Sequence, residues 1–254
     1  MLRIFQTEFI KSKDTFVRWL TAIIPIFCVW LLIFINRSVK MNGVSKWDMA
    51  LCLLFNWWSA MLLPLTIALI CSLVNSQEKK SGNYRTLRLH YISPANIWIG
   101  KIFIIAFYMF VTSVIFLVAT IIAGRLLIGG GQIPLNKIIS AIAVIWITSL
   151  AIIPVQLFIS TWKGTALSIV VATAGVVLAV VTMTTKLWYL VPWNIAPRLM
   201  CPIVRVNVNG LYIKNSANPL LDKSVISLGI ISALCMFLVF TLITSFWFSR
   251  REVK

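Results

Sequence analysis

Met49-Ala-Leu-Cys-Leu-Leu-Phe-Asn-Trp-Trp-Ser-Ala-Met-Leu-Leu-Pro-Leu-Thr-Ile-Ala-Leu-Ile-Cys-Ser-Leu-Val74 contains no charged residue over 26 positions. As a helix rising ~1.5 Å per residue, such a run is longer than the ~30 Å hydrocarbon layer of a bilayer is thick. Five more uncharged apolar runs follow the same rule: 19–35, 102–124, 138–160, 165–185 and 224–248. Hydrophobic residues make up 60% of the 254 and charged ones 11%, with a mean hydropathy of +0.96. A soluble domain is about a quarter charged, so this chain lacks the polar groups to cover a water-facing globule. The composition excludes a soluble enzyme, a disordered chain and a secreted disulfide scaffold. It predicts an all-α polytopic membrane protein with six transmembrane helices filling residues 19–249.

All six carboxylates (Glu8, Asp14, Asp48, Glu78, Asp222, Glu252) fall outside the apolar runs, as do His90 and every Lys and Arg. Ion-coupled transporters keep ionisable groups at membrane depth, and a membrane enzyme needs an acid, a base or a metal cluster. Neither pattern is present, so the energy for any transport is expected to come from another chain. Five cysteines with no CxxC pair, and one isolated histidine, argue against a disulfide framework or a zinc site. Cys28, Cys52, Cys71 and Cys235 read as small hydrophobes in the runs, and Cys201 as a loop residue.

The net charge of +17 reads as topogenic flanks and anionic-lipid contacts rather than nucleic-acid binding. With the N-terminus inside, 13 Lys and Arg lie on the inner side and 10 on the outer. Both termini are then cytoplasmic, with 250–254 as a short tail. Leu2, Phe5, Phe9 and Phe16 share one helical face, so residues 1–18 predict an amphipathic helix in the cytoplasmic interface, not a cleavable signal. Pro25, Pro64 and Pro154 can kink their spans. Asn56 and Gln156, the only amides in the runs, serve either as hydrogen-bonding glue between helices or as the lining of a path, and glue is favoured.

Between the second and third runs lies Asn75-Ser-Gln-Glu-Lys-Lys-Ser-Gly-Asn-Tyr-Arg-Thr-Leu-Arg-Leu-His-Tyr-Ile-Ser-Pro94, then Ala95-Asn-Ile-Trp-Ile-Gly-Lys101. A short helix running on from the second run is expected, with Glu78 near its start where the dipole is positive. Ser93-Pro94 opens the next helix. The Glu78-x3-Gly82 pattern, Leu87, Ile92-Ser-Pro94 and Gly100-Lys101 resemble the signature of ABC-2 type transporter permeases. Tyr84-Arg-Thr-Leu-Arg88, Ile97-Trp-Ile-Gly-Lys101, Val191-Pro-Trp-Asn-Ile-Ala-Pro-Arg-Leu-Met-Cys-Pro-Ile203 and Asn209-Gly210-Leu211 resemble the permease subunits of lantibiotic immunity transporters more narrowly.

That resemblance implies a subunit of an ATP-driven exporter in the bacterial cytoplasmic membrane, removing amphipathic antimicrobial peptides. It implies a cytoplasmic ABC ATPase in two copies, which binds the ATP and Mg²⁺, and a second, related six-span permease. This chain has no phosphate-binding loop of its own: Gly129-Gly-Gly131 lacks the Lys-Ser/Thr pair, and Trp162-Lys-Gly-Thr165 has the wrong order. Within loop 75–101, residues 77–87 would be the coupling helix. Glu78, Lys79, Lys80, Gly82, Tyr84, Arg85 and Arg88 would meet the ATPase, with Pro94, Gly100 and Lys101 as the loop-to-span signature. Ser160 to Thr165 would make a second inner contact.

The segment 186–223 combines Trp188, Tyr189 and Trp193 with prolines at 192, 197 and 202. Its proline spacing predicts short, half-inserted interfacial helices. Trp193, Arg198, Met200 and Asn209, with Asn56 and Gln156 in the spans, are the candidate substrate or partner contacts. The outer side is itself basic, so capture of a cationic peptide there would depend on hydrophobic recognition from the bilayer. An ABC-2 permease for another drug or lipid, and a non-transport scaffold or sensor that binds lipid through the inner loop, are the competing readings.

Overall fold

A computed structural model describes residue 9 and residues 16–36, 43–80, 93–128, 132–207 and 209–250. Nine α-helices account for most of these: α1 (Phe16–Asn36), α2 (Lys46–Trp57), α3 (Leu63–Lys80), α4 (Pro94–Ala123), α5 (Leu135–Ser149), α6 (Ile152–Lys163), α7 (Thr165–Thr182), α8 (Pro192–Val204) and α9 (Val225–Arg250). Among the described residues the only β pairing is an isolated antiparallel bridge between Val206 and Tyr212.

Among the described residues four stretches are long and apolar enough to cross a membrane: 46–79, 94–126, 165–182 and 225–250. The pair α5 and α6, bent by 44° at its break, makes a fifth if it counts as one span, and α1 is a shorter apolar helix. The expected interfacial helix over 1–18 lies almost wholly outside the described residues. Phe9 alone is placed there, edge-on to Phe107 at 6.0 Å, and residues 16–18 already belong to α1.

Two proline effects shape the bundle. Pro64 has no N–H to give Ala60, and its ring crowds that carbonyl. The preceding turn, Trp58–Leu62, widens into a π-helix, so α2 and α3 form one irregular path. Pro154 likewise cannot bond to Leu150, whose carbonyl accepts from Ile153 N–H at the α5–α6 break.

The bundle has two ends, each marked by a paired carboxylate. Asp48, near the start of α2, accepts from Lys137 Nζ at 2.6 Å, close to the start of α5. Glu78, near the end of α3, pairs with Lys101 on α4. At the Asp48 end the chain between α7 and α9 folds back inward as α8, which packs against α2, α5, α7 and α9. At the Glu78 end a single residue, Gly164, joins α6 to α7.

Gly164 adopts φ 90° and ψ −173°, a region that is essentially glycine's alone. The expected six-residue turn at 160–165 is therefore one residue long, since α6 continues to Lys163. Gly164→Ala is expected to lower stability by about 1–3 kcal/mol from backbone strain alone, because no atom would meet the added methyl within 4 Å. Thermal unfolding in detergent measures it.

Helices α7 and α9 bury little of themselves: 22% of the apolar window in α7 and 11% in α9. Leu238, Leu242, Ile243 and Phe246 are among the large side chains exposed on α9. In water this would be untenable, whereas in a bilayer it costs nothing, because lipid tails are as apolar as leucine.

Candidate functional site

The Glu78 end is organised by residues three apart on two helices. Asn75 and Glu78 share a face of α3, and Trp98 and Lys101 share a face of α4. Asn75 Nδ2 donates to the Ser160 carbonyl on α6 at 2.9 Å. Glu78 Oε1 lies 3.0 Å from Lys101 Nζ. Trp98 Nε1 donates to Thr244 Oγ1 on α9 at 2.9 Å, and its ring stacks on Phe248 at 4.7 Å. Four helices are thus tied together where the chain leaves at Lys80 and re-enters at Ser93.

Lys101 is fully buried and Glu78 is 5% exposed. The desolvation cost of two such charges is several kcal/mol each, which their mutual attraction must offset. Lys101 lies inside α4, two turns from its first residue, not in a loop flanking the span. Glu78 lies in the last described turn of α3, not at a helix start. The helix dipole there disfavours a carboxylate, and Lys101 supplies the compensating charge.

Re-entry is well defined. Ser93 caps α4, its Oγ accepting from Asn96 N–H at 3.2 Å, and Pro94 is the first helical residue. Gly100 is buried beside Lys101, and Lys79 is exposed. Gly82, Tyr84, Arg85 and Arg88 lie outside the described residues, as do the side chain of Lys80 and the tail residues Arg251 and Lys254.

The Asp48 end differs from expectation at α8. Pro197 and Pro202 do not break it; both lie within one 13-residue helix, eleven of whose residues are buried. Each interior proline forfeits one backbone bond, at a cost of ~3 kcal/mol or more, which the packing of the eleven buried residues offsets. Cys201 is accordingly a buried helical residue. Met200 is fully buried within the chain, and Arg198 is nearly so. Arg198 Nη1 donates to the Leu220 carbonyl at 3.0 Å, with the guanidinium 5.6 Å from the Trp188 ring.

Trp193 is half-buried against Gly175 of α7, and its indole N–H has no partner among the described residues. Asn209 is exposed, its Oδ1 accepting from Leu211 N–H. Asn56 is half-buried with its amide against Gly210. Gln156 is fully buried; its Oε1 accepts from Ser168 Oγ at 2.8 Å, joining α6 to α7, and its Nε2 has no partner among the described residues.

The structure thus brings Glu78 and Lys101 together and sets Trp193, Arg198 and Met200 on one helix. Gln156 stands apart, as do Asn56 and Asn209 near Gly210. Reading the sequence by runs and loops missed Asn75, Trp98 and Thr244. The signal for Asn75 and Trp98 is the three-residue spacing from Glu78 and Lys101; Thr244 is reached only through the tertiary bond from Trp98. Just outside the last span, Asp222 accepts from both Ser224 N–H and Ser224 Oγ, which hold its carboxyl below the usual range. This contact contributes above the ordinary carboxylate pKa and fades as pH falls through the lowered one.

Among the described residues no three His, Cys, Asp or Glu side chains group closely enough to hold a metal. What the Glu78 end offers is a tie between helices: the last turn of α3 is held to α4 by a buried ion pair. Residues 4–182 match the family described as ABC-2 family transporter protein. No curated protein matches the chain.

Proposed function

Because the chain belongs to the ABC-2 transporter family, and so is a multi-pass permease subunit that works with an ABC ATPase, we propose that it exports lantibiotic-type antimicrobial peptides from a bacterial membrane. In this reading α1 is the sixth crossing, and both termini and the Glu78 end face the cytoplasm. The loop spanning Gly82, Tyr84, Arg85 and Arg88 meets the ATPase, two copies of which bind ATP and Mg²⁺. A second, related permease completes the pore.

The observation behind this reading is the buried Glu78–Lys101 pair. A loop attached to two independent helix ends would flex when pushed. Attached to two ends locked at 3.0 Å, it moves them together. Through α3 the push reaches α6 and α7, and through α7 it reaches α8. That chain of contacts joins an ATP-driven movement at one end to the in-folded helix at the other. The peptide assignment depends on the resemblance in 191–203 and 209–211, the segment that builds α8 and the loop after it.

The test is a resistance assay in cells expressing the chain with its neighbouring ATPase and permease genes. Survival against a lantibiotic, loss of survival when the ATPase is omitted, and recovery of the ATPase on the purified chain are the expected results. Resistance that persists without the ATPase would support a scaffold or sensor instead. Resistance to unrelated drugs but not to lantibiotics would keep the permease and overturn its cargo.

A further inference from the structure

At the Asp48 end a cavity of about 820 Å³ opens among the ends of α2, α5, α8 and α9. Lys137, Arg205 and Lys223 line it against one carboxylate, Asp48, so three positive charges face one negative. Asp48 is occupied by Lys137. Arg205 donates to Ser216 Oγ at 2.9 Å. Among the described residues neither Arg205 nor Lys223 pairs with a carboxylate.

Backbone groups add to this field. The first two turns of α5 contribute Asn136, Lys137 and Ser140 to the lining. No side chain caps the start of that helix; the Leu135 and Lys137 N–H groups donate to the Ile133 and Pro134 carbonyls, so what this helix start adds to the cavity is the positive end of its dipole beside Asn136. Arg205 is the only non-glycine residue among those described with positive φ, at φ 62° and ψ 38° immediately after α8. Glycine is the usual occupant of that position. A strained residue that keeps a cation aimed into a cavity points to use of the side chain.

The surroundings identify the ligand class. Leu135 and Ile139 on α5, and Leu228 and Ile231 on α9, are exposed within two turns of the cavity. In a bilayer these apolar faces would meet acyl chains, with the polar cavity beside them at headgroup level.

We propose that this cavity binds the phosphodiester headgroup of an anionic phospholipid. Arg205 and Lys223 hold the phosphate, the positive end of the α5 dipole favours its charge, and the acyl chains run along α5 and α9. The site depends on the chain spanning a bilayer and not on the identity of its cargo. It gives the basic residues at this end a specific task.

The test uses the purified transporter complex, delipidated in detergent, with phosphatidylglycerol or phosphatidylcholine added back and retained lipid counted by native mass spectrometry. Preferential retention of phosphatidylglycerol is expected. Arg205→Gly combined with Lys223→Gln should weaken it at least tenfold, as expected for the loss of charged contacts. Arg205→Gly also relieves the backbone strain, so the variant should fold at least as well as the parent. Arg125→Gln with Lys186→Gln, which alters cations outside the cavity, should leave retention unchanged.

Equal retention of the two lipids, or no effect of the cavity variant, would overturn the site. Displacement of the lipid by millimolar inorganic phosphate would assign the cavity to a soluble anion and overturn the lipid assignment. Lost peptide resistance with intact phosphatidylglycerol retention would count against the cargo and leave this site standing.

Discussion

Glu78→Lys will produce a transporter that neither holds its Glu78 end together nor responds to its ATPase. The substitution places a second ammonium against Lys101, which is fully buried 3.0 Å from the present carboxylate. Breaking a buried pair costs about 3–5 kcal/mol, because the remaining charge stays out of water. Lys101 cannot easily swing away, since Trp98, one turn earlier, is held by Thr244 and stacked on Phe248. The strain therefore falls on the α3–α4 contact, from which the loop is suspended. Thermal inactivation in detergent should move down by several degrees, and peptide resistance should be lost.

A companion variant separates packing from coupling. Glu78→Leu with Lys101→Met replaces the pair by apolar side chains of similar size, an exchange that is often neutral or stabilising. Thermal stability should return with it. If the pair fixes the relative position of the two helix ends during the ATP cycle, resistance should stay low although the protein is stable. Full resistance in Glu78→Lys would end the coupling role. Full resistance in the apolar pair alone would reduce the pair to packing.

The helical, multi-pass class was legible because bilayer thickness acts on run length, and run length is a property of sequence alone. Helix boundaries were less legible because they were drawn at the first charge. Lys101 marks where one uncharged run begins and Glu78 lies four residues past the end of another, so that rule put both in the loop 75–101 outside the spans. Their pairing is tertiary: 23 residues separate them, and nothing local indicates that one satisfies the other. The reading of 186–223 foresaw short helices but not that Pro197, Cys201 and Pro202 lie inside one of them, for a related reason. Proline at 197 and 202 is a strong local signal for a break between short helices, yet 192–204 is so extensively packed that one helix runs through both. Met200 could not be placed from sequence, because an apolar residue in an interfacial segment fits an exposed face and a buried one equally well.

The opposite case is Gly175, which sequence reading passed over as one more small residue in an apolar run. Gly175→Ala is expected to destabilise the protein by about 1–3 kcal/mol, the usual range for overpacking. On helix propensity alone the change should stabilise by up to ~1 kcal/mol, so the sign is itself diagnostic. The added methyl would lie 2.5–2.6 Å from the Cδ2, Cε2 and Cγ atoms of Trp193. Those atoms are the fused body of the indole, not a flexible tip, so relief requires the whole ring to move. Because α8 also meets Leu199 against Gly229 of α9, where an added Cβ would lie 2.9 Å from the leucine methyls, it cannot slide freely toward the other side. Trp193→Leu should remove the clash, so the double variant should recover most of the stability lost by Gly175→Ala. Denaturation midpoints of the two single variants and the double give the coupling directly. If α8 shifts against α7 during transport, Gly175→Ala will also depress peptide resistance at temperatures where the protein remains folded. Strict additivity of the two substitutions would show that the ring and the glycine do not meet, and α8 would lose its proposed seat on α7.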